Sequence, residues 1–209
     1  MSTKESRRIR HILVALDASP HSLAALAAAA EVARELKAEL TGLFVEDVNL
    51  LKLAQLPFAQ QIHFPRATAQ KLNTPLVEKQ LHAQAILARE NLRHVAETAA
   101  VGWSFRVARG SVASELLAAA LEADLLVLGR LSHRLAQAHG VGSTAQTAVT
   151  HSRQPVLLLG VGFNLNLPVL AFYDGATAAQ TAMNLAAELA QASGQLRLLI
   201  WANDDEDAA

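Results

Sequence analysis

Residues 12–16 read ILVAL, a short unbroken apolar run rich in β-formers, and Asp17 follows it at once. A continuous run, rather than an alternating one, is the pattern of a strand buried on both faces, and both faces are buried when helices flank a parallel sheet. Ser19 then supplies a helix N-cap and Pro20 a first helical residue, with apolar residues at helical spacing as far as Leu36. Residues 40–45, LTGLFV, form the next strand, which the polar pair Glu46 and Asp47 stops. One βαβ unit is therefore complete by Val45.

The same alternation continues. Pro57, Pro65 and Pro75 interrupt residues 48–75, an insertion of partly helical character that packs Leu50, Leu53, Leu56 and Phe58 on the core. A long helix is expected from Val77 to Ala100, with Leu81, Ile86, Leu92 and Val95 facing inward. Residues 103–108 (WSFRVA) are a strand, VASELLAAALE a helix, ADLLVLG a buried strand, and the segment after Gly142 adds a helix and the strand of PVLLLG. The fold class is α/β: an open, mainly parallel, twisted five-stranded sheet with helices on both faces. PVLLLG falls at a sheet edge, where an apolar strand invites pairing.

Residues 167–203 then retrace the opening unit, with Asp174 where Asp17 was and Ala186-Ala187-Glu188 where Ala29-Ala30-Glu31 was. This divides the chain into a domain at 1–160 and a βαβ half-repeat at 161–209. A lone βαβ cannot bury both sheet faces, so the half-repeat must dock on the first domain, pair with another chain, or belong to a shortened tandem protein. The last residues, DDEDAA, read as a solvated acidic tail.

Composition narrows the function classes. The chain has 209 residues, 52% of them hydrophobic, and a formal net charge of -1, so no whole-molecule field draws it to nucleic acid or an anionic membrane. It has no cysteine, which excludes disulfides, thiolate-ligated metal and thiol catalysis and suits a reducing cytoplasm. The basic N-terminus leads into an apolar run too short for a signal peptide, and charge breaks every other apolar stretch before the roughly 20 residues of a membrane span. A cytoplasmic protein is expected.

Chemistry concentrates after the strand ADLLVLG. Gly129 is followed by two residues, Ser132, nine residues, then Gly142, Ser143 and Thr144. Glycine at the carboxyl end of a parallel strand lets a ligand reach the backbone, and glycine at a helix start leaves N–H groups open. With the helix dipole, the Ser143 and Thr144 hydroxyls, and Arg130 and Arg134 nearby, these groups suit phosphate oxygens. On spacing alone, helix capping explains Gly142-Ser143-Thr144 equally well. The segment is neither a Walker A loop nor a dinucleotide fingerprint. His133 and His139 lack a carboxylate partner in the loop, Glu78 and His82 at i, i+4 read as a surface pair, and Ser111, Ser114 and Glu115 read as capping. No Ser-His-Asp arrangement emerges.

HILVALDASPHS, VARGSVASELLAAALEADLLVLGR and the Gly-Ser helix followed by RQPVLLLG resemble the universal stress protein family over about residues 9–160, and the tail resembles the start of a second copy. The nucleotide-binding branch of that family carries a glycine where this chain has Ser132. The resemblance implies an adenine nucleotide alpha hydrolase-like fold and ATP as ligand, with Mg²⁺ arriving on its phosphates. It places Asp17 near adenine and ribose, Val45 at adenine through its backbone, and Gly129, Gly142, Ser143 and Thr144 along ribose and phosphates. It also implies a homodimer and a regulatory role, through an unidentified protein partner, rather than an enzymatic one. The competing expectation is a nucleotide-free interaction module of the same fold.

Overall fold

The computed structural model describes residues 9–17, 19–63, 68–129, 142–159 and 163–200. In chain order, β1 (His11–Leu16) leads through α1 (Pro20–Leu36) to β2 (Glu39–Asp47), then α2 (Val48–Ala54), β3 (Gln60–His63), β4 (Thr68–Lys71) and α3 (Thr74–Thr98). The rest comprises β5 (Trp103–Gly110), α4 (Val112–Ala120), β6 (Leu125–Gly129), α5 (Ser143–His151), β7 (Val156–Leu159), β8 (Val169–Tyr173), α6 (Thr177–Ser193) and β9 (Leu196–Ile200). The main sheet has the order β5-β2-β1-β6-β7, and all its pairings are parallel. This is the expected five-stranded sheet.

Its two faces make two cores. Ile12, Val14 and Leu16 of β1 point into one with α1 and α3, whereas Leu13 of β1 and Leu43 of β2 point into the other with α4 and α5. Alternate residues of one strand thus meet different helix layers, which is why ILVAL has no polar position. Gly42 in β2 has a packing role: a Cβ there would lie 2.6 Å from Cδ2 of the buried Leu92, so its absence lets α3 sit close on the sheet.

Several expectations need correction. β2 runs through Glu46 and Asp47, because β5 continues beside it and pairs Glu46 with Arg109. In the insertion, α2 buries Leu51 and Ala54, one helical turn apart, and Leu50 is partly buried, while Leu53 and Leu56 are exposed and Phe58 is 76% exposed. An antiparallel hairpin, β3 with β4, occupies the stretch where no strand was expected. α3 starts at Thr74 with Asn73 as N-cap, which accommodates Pro75 in its first turn. Its buried stripe is Val77, Leu81, Ala85, Ala88, Leu92 and Ala96. Ile86 lies off that stripe and is 53% exposed, because alanine rather than the larger side chain holds the inward position.

β8, α6 and β9 form a separate parallel βαβ unit. α6 packs on α1, and Leu189 of α6 joins the α1–α3 core, so this unit docks on the first domain. The acidic tail at 204–209 lies outside the described residues, as do residues 1–8.

Candidate functional site

β1 connects to β2 on one side of the sheet and β6 connects to β7 on the other, so strand order reverses between β1 and β6. In an open α/β sheet the crevice beyond the carboxyl ends of the strands at such a point is where ligands sit. A cleft of about 620 Å³ lies there, within the usual range for small-molecule sites. Its lining brings together Asp17, Val45, Gly129, Gly142, Ser143 and Thr144. Those six sequence-predicted residues come from the ends of three adjacent strands and the start of α5. Arg130 and Ser132, and with them His133, Arg134 and His139, lie outside the described residues.

The lip at β1 is built by serines. Ser19 N–H donates to Asp17 Oδ1 at 3.0 Å, Ser22 N–H donates to Ser19 Oγ at 3.1 Å, and Asp17 N–H donates to Ser22 Oγ at 3.2 Å. Ser19 and Ser22 are buried, so three backbone donors of a tight strand-to-helix turn are matched by side chains. The N-cap role expected of Ser19 holds. Ser22, which also lines the cleft, was missed, although its place three residues after an N-cap serine was the available signal.

At the β6 side, Gly142 is the N-cap of α5 and has no side chain to cap with. The first intrahelical bond is donated by Gln146 to the Gly142 carbonyl, so among the described residues the N–H groups of residues 143–145 have no partner at the positive end of a helix that borders the cleft. Gly142 has φ −63° and ψ 152°, extended backbone open to any residue, so what glycine supplies is the lack of a side chain in a buried position. Among the described residues the Ser143 and Thr144 hydroxyls have no hydrogen-bond partner.

The end of β2 and the start of α4 form the third side. Asp47 Oδ1 accepts from Asn49 N–H at 2.9 Å and so caps α2. Next to it, Arg109 Nε donates to Glu46 Oε2 at 2.8 Å, and Arg109 Nη1 lies 3.7 Å from Glu78 Oε1. The hydrogen bond to Glu46 holds the Arg109 guanidinium above its ordinary value, and the group stays charged. Ser111 is the N-cap residue of α4, but its side chain makes no cap bond and instead lines the cleft. The capping expectation for Ser111 is therefore right in position only. Glu78 is engaged with Arg109 rather than with His82, the pairing its i, i+4 spacing suggested. Among the described residues there is no cluster of three or more His, Cys, Asp or Glu able to hold a metal, and no helix is long and apolar enough to cross a membrane.

Fold and cleft together define an open parallel α/β domain whose crevice lies outside the strand ends, closed on one side by a free helix N-terminus. The universal stress protein family model matches residues 8–160, and the chain belongs to that family. The universal stress protein UspA from Lactobacillus plantarum is similar at 26% identity and a TM-score of 0.55, over 73% of this chain and 98% of that one. A universal stress protein family member from Burkholderia pseudomallei matches at 25% identity and a TM-score of 0.51, over 74% and 98% of the two chains. A universal stress protein from Archaeoglobus fulgidus shares only the fold, at 16% identity and a TM-score of 0.69, but over 95% of this chain and 70% of its own. That match extends beyond β7 into the C-terminal unit. No curated protein sequence matches the chain.

Proposed function

We propose that this chain is a cytoplasmic regulatory module that binds an adenine nucleotide, ATP or a relative of it, in the cleft at the sheet's switch point. The observation that carries the reading is the N-terminus of α5, whose serine and threonine hydroxyls have no partner among the described residues, at the edge of a cleft large enough for a nucleotide. Asp17 and Val45 then meet the ribose and base, and Gly129, Gly142, Ser143 and Thr144 meet the phosphates. Arg130 and Ser132, which stand in sequence between Gly129 and Gly142, add to the phosphate contacts, and Mg²⁺ enters with the phosphates.

The module is a binder rather than a catalyst. Each carboxylate lining the cleft, Asp17 and Asp47, already accepts from the backbone N–H two residues on, and no lysine lines the cleft among the described residues. It works as a homodimer through β7, one of the two edge strands of the five-stranded sheet, and passes its ligand state to a protein partner.

Freshly purified protein is denatured and the released nucleotide identified by mass spectrometry, then the emptied protein is titrated with ATP and Mg²⁺ in a calorimeter. Carried or titratable ATP is expected, with Gly142→Leu weakening it at least about tenfold by filling the phosphate end. No binding at millimolar ATP overturns the reading in favour of a nucleotide-free interaction module.

A further inference from the structure

The wall of the cleft opposite α5 comes from outside the five-stranded sheet. α2 contributes Asn49 and Leu50, and α3 contributes Leu81 and Gln84. The two helices pack on each other, and Leu81 is anchored in the α1–α3 core. Gln84 follows Leu81 by three residues, so it lies beside the buried stripe and its backbone is held by the stripe's packing. Among the described residues the Gln84 side chain has no hydrogen-bond partner. Leu50 and Leu81 line the same cleft, so this wall is apolar with one amide in it, whose acceptor oxygen lies beside a donor NH2 group.

The ends of β2 and β6 are separated by β1, hence by two strand intervals, roughly 10 Å. A phosphate held at α5 therefore leaves the nucleoside to extend across β1 towards the α2–α3 wall. Resting on the adenine-nucleotide reading, we infer that the Gln84 amide reads the N6/N7 edge of the purine and makes the cleft selective for an aminopurine over an oxopurine. Gln84 Oε1 accepts from the exocyclic amino group, and Nε2 donates to the neighbouring ring nitrogen. An oxopurine presents two acceptors at that edge, so only one half of the amide finds a partner. Leu50 and Leu81 form the apolar flank against the ring.

The test compares AMP with IMP by calorimetric titration on the full chain and on Gln84→Leu. Gln84 is exposed, so the substitution leaves the thermal midpoint in place. The expected result is that the variant binds AMP about tenfold more weakly while IMP binding changes less than about twofold, collapsing the preference. Gln84→Glu, which keeps the acceptor and loses the donor, is expected to fall between. Unchanged AMP affinity and an unchanged AMP-to-IMP ratio in Gln84→Leu overturn the inference while the nucleotide reading stands. Failure of the unaltered protein to bind either AMP or ATP overturns both.

Discussion

The unit β1–α1–β2 and the unit β8–α6–β9 have the same local architecture in different surroundings. In both, the aspartate after the first strand accepts from the backbone N–H two residues on at 3.0 Å, Asp17 from Ser19 and Asp174 from Ala176. In both, the strands are parallel, and Leu13 opposite Thr41 corresponds to Leu170 opposite Arg197. The difference lies in what covers them. Leu13 is 2% exposed beneath α4 and α5, whereas Leu170 is 67% exposed, with Phe172 and Leu199 exposed on the same face. Gly42 marks the other face: it lies opposite Val14 and makes room for α3, while the register counterpart opposite Ala171 is the large residue Leu198. A βαβ sequence specifies its own strands and helix, but burial of its second face depends on helices supplied from elsewhere.

Substitutions at matched positions separate the two units. Leu13→Ala is expected to cost about 2–5 kcal/mol in denaturant unfolding, and Leu170→Ala less than about 0.5 kcal/mol. A comparable loss at both positions breaks the contrast, because it shows the Leu170 face to be covered in solution. Next in size, Gly42→Ala is expected to cost about 1–3 kcal/mol by pushing on Leu92, while Leu198→Ala, which is exposed and has no α3 above it, costs clearly less in the same experiment. The smallest effect concerns the helix caps. α1 has a serine cap that accepts from Ser22 N–H, whereas the N-cap of α6 is Ala176, with no side-chain bond. Ser19→Ala should destabilise by about 1 kcal/mol, and Ala176→Ser should stabilise α6 by up to a similar amount, read as hydrogen-exchange protection in α6. No gain in protection there would mean that docking on α1, rather than its first turn, limits opening of α6.

Much of this was legible in the chain. Continuous apolar runs fixed β1 and β6 as strands covered on both faces, Ser19-Pro20 fixed the start of α1, and the glycine and serine spacing located the α5 end of the cleft. The misses share a cause. Ile86 is large and apolar, yet the smaller Ala85 and Ala88 hold inward positions of α3, since a close helix-to-sheet approach favours alanine and glycine, and Phe58 lies in the turn between α2 and β3, where long-range packing leaves it exposed. Glu46 did not end β2, because its partner Arg109 lies 63 residues further on in β5. The α2–α3 wall of the cleft carried no local signal, since Leu50 and Gln84 are distant in sequence and meet only when both helices pack over the sheet ends.

Period, caps and turn residues are short-range properties, so the residues alone sufficed for the order of elements, the parallel sheet and the strand ends where a ligand site had to fall. Which apolar side chains are buried, which acid finds an arginine and what closes the cleft opposite α5 depend on contacts between segments far apart in the chain. Those contacts come from packing free energy summed over the whole fold, and no window of sequence contains it.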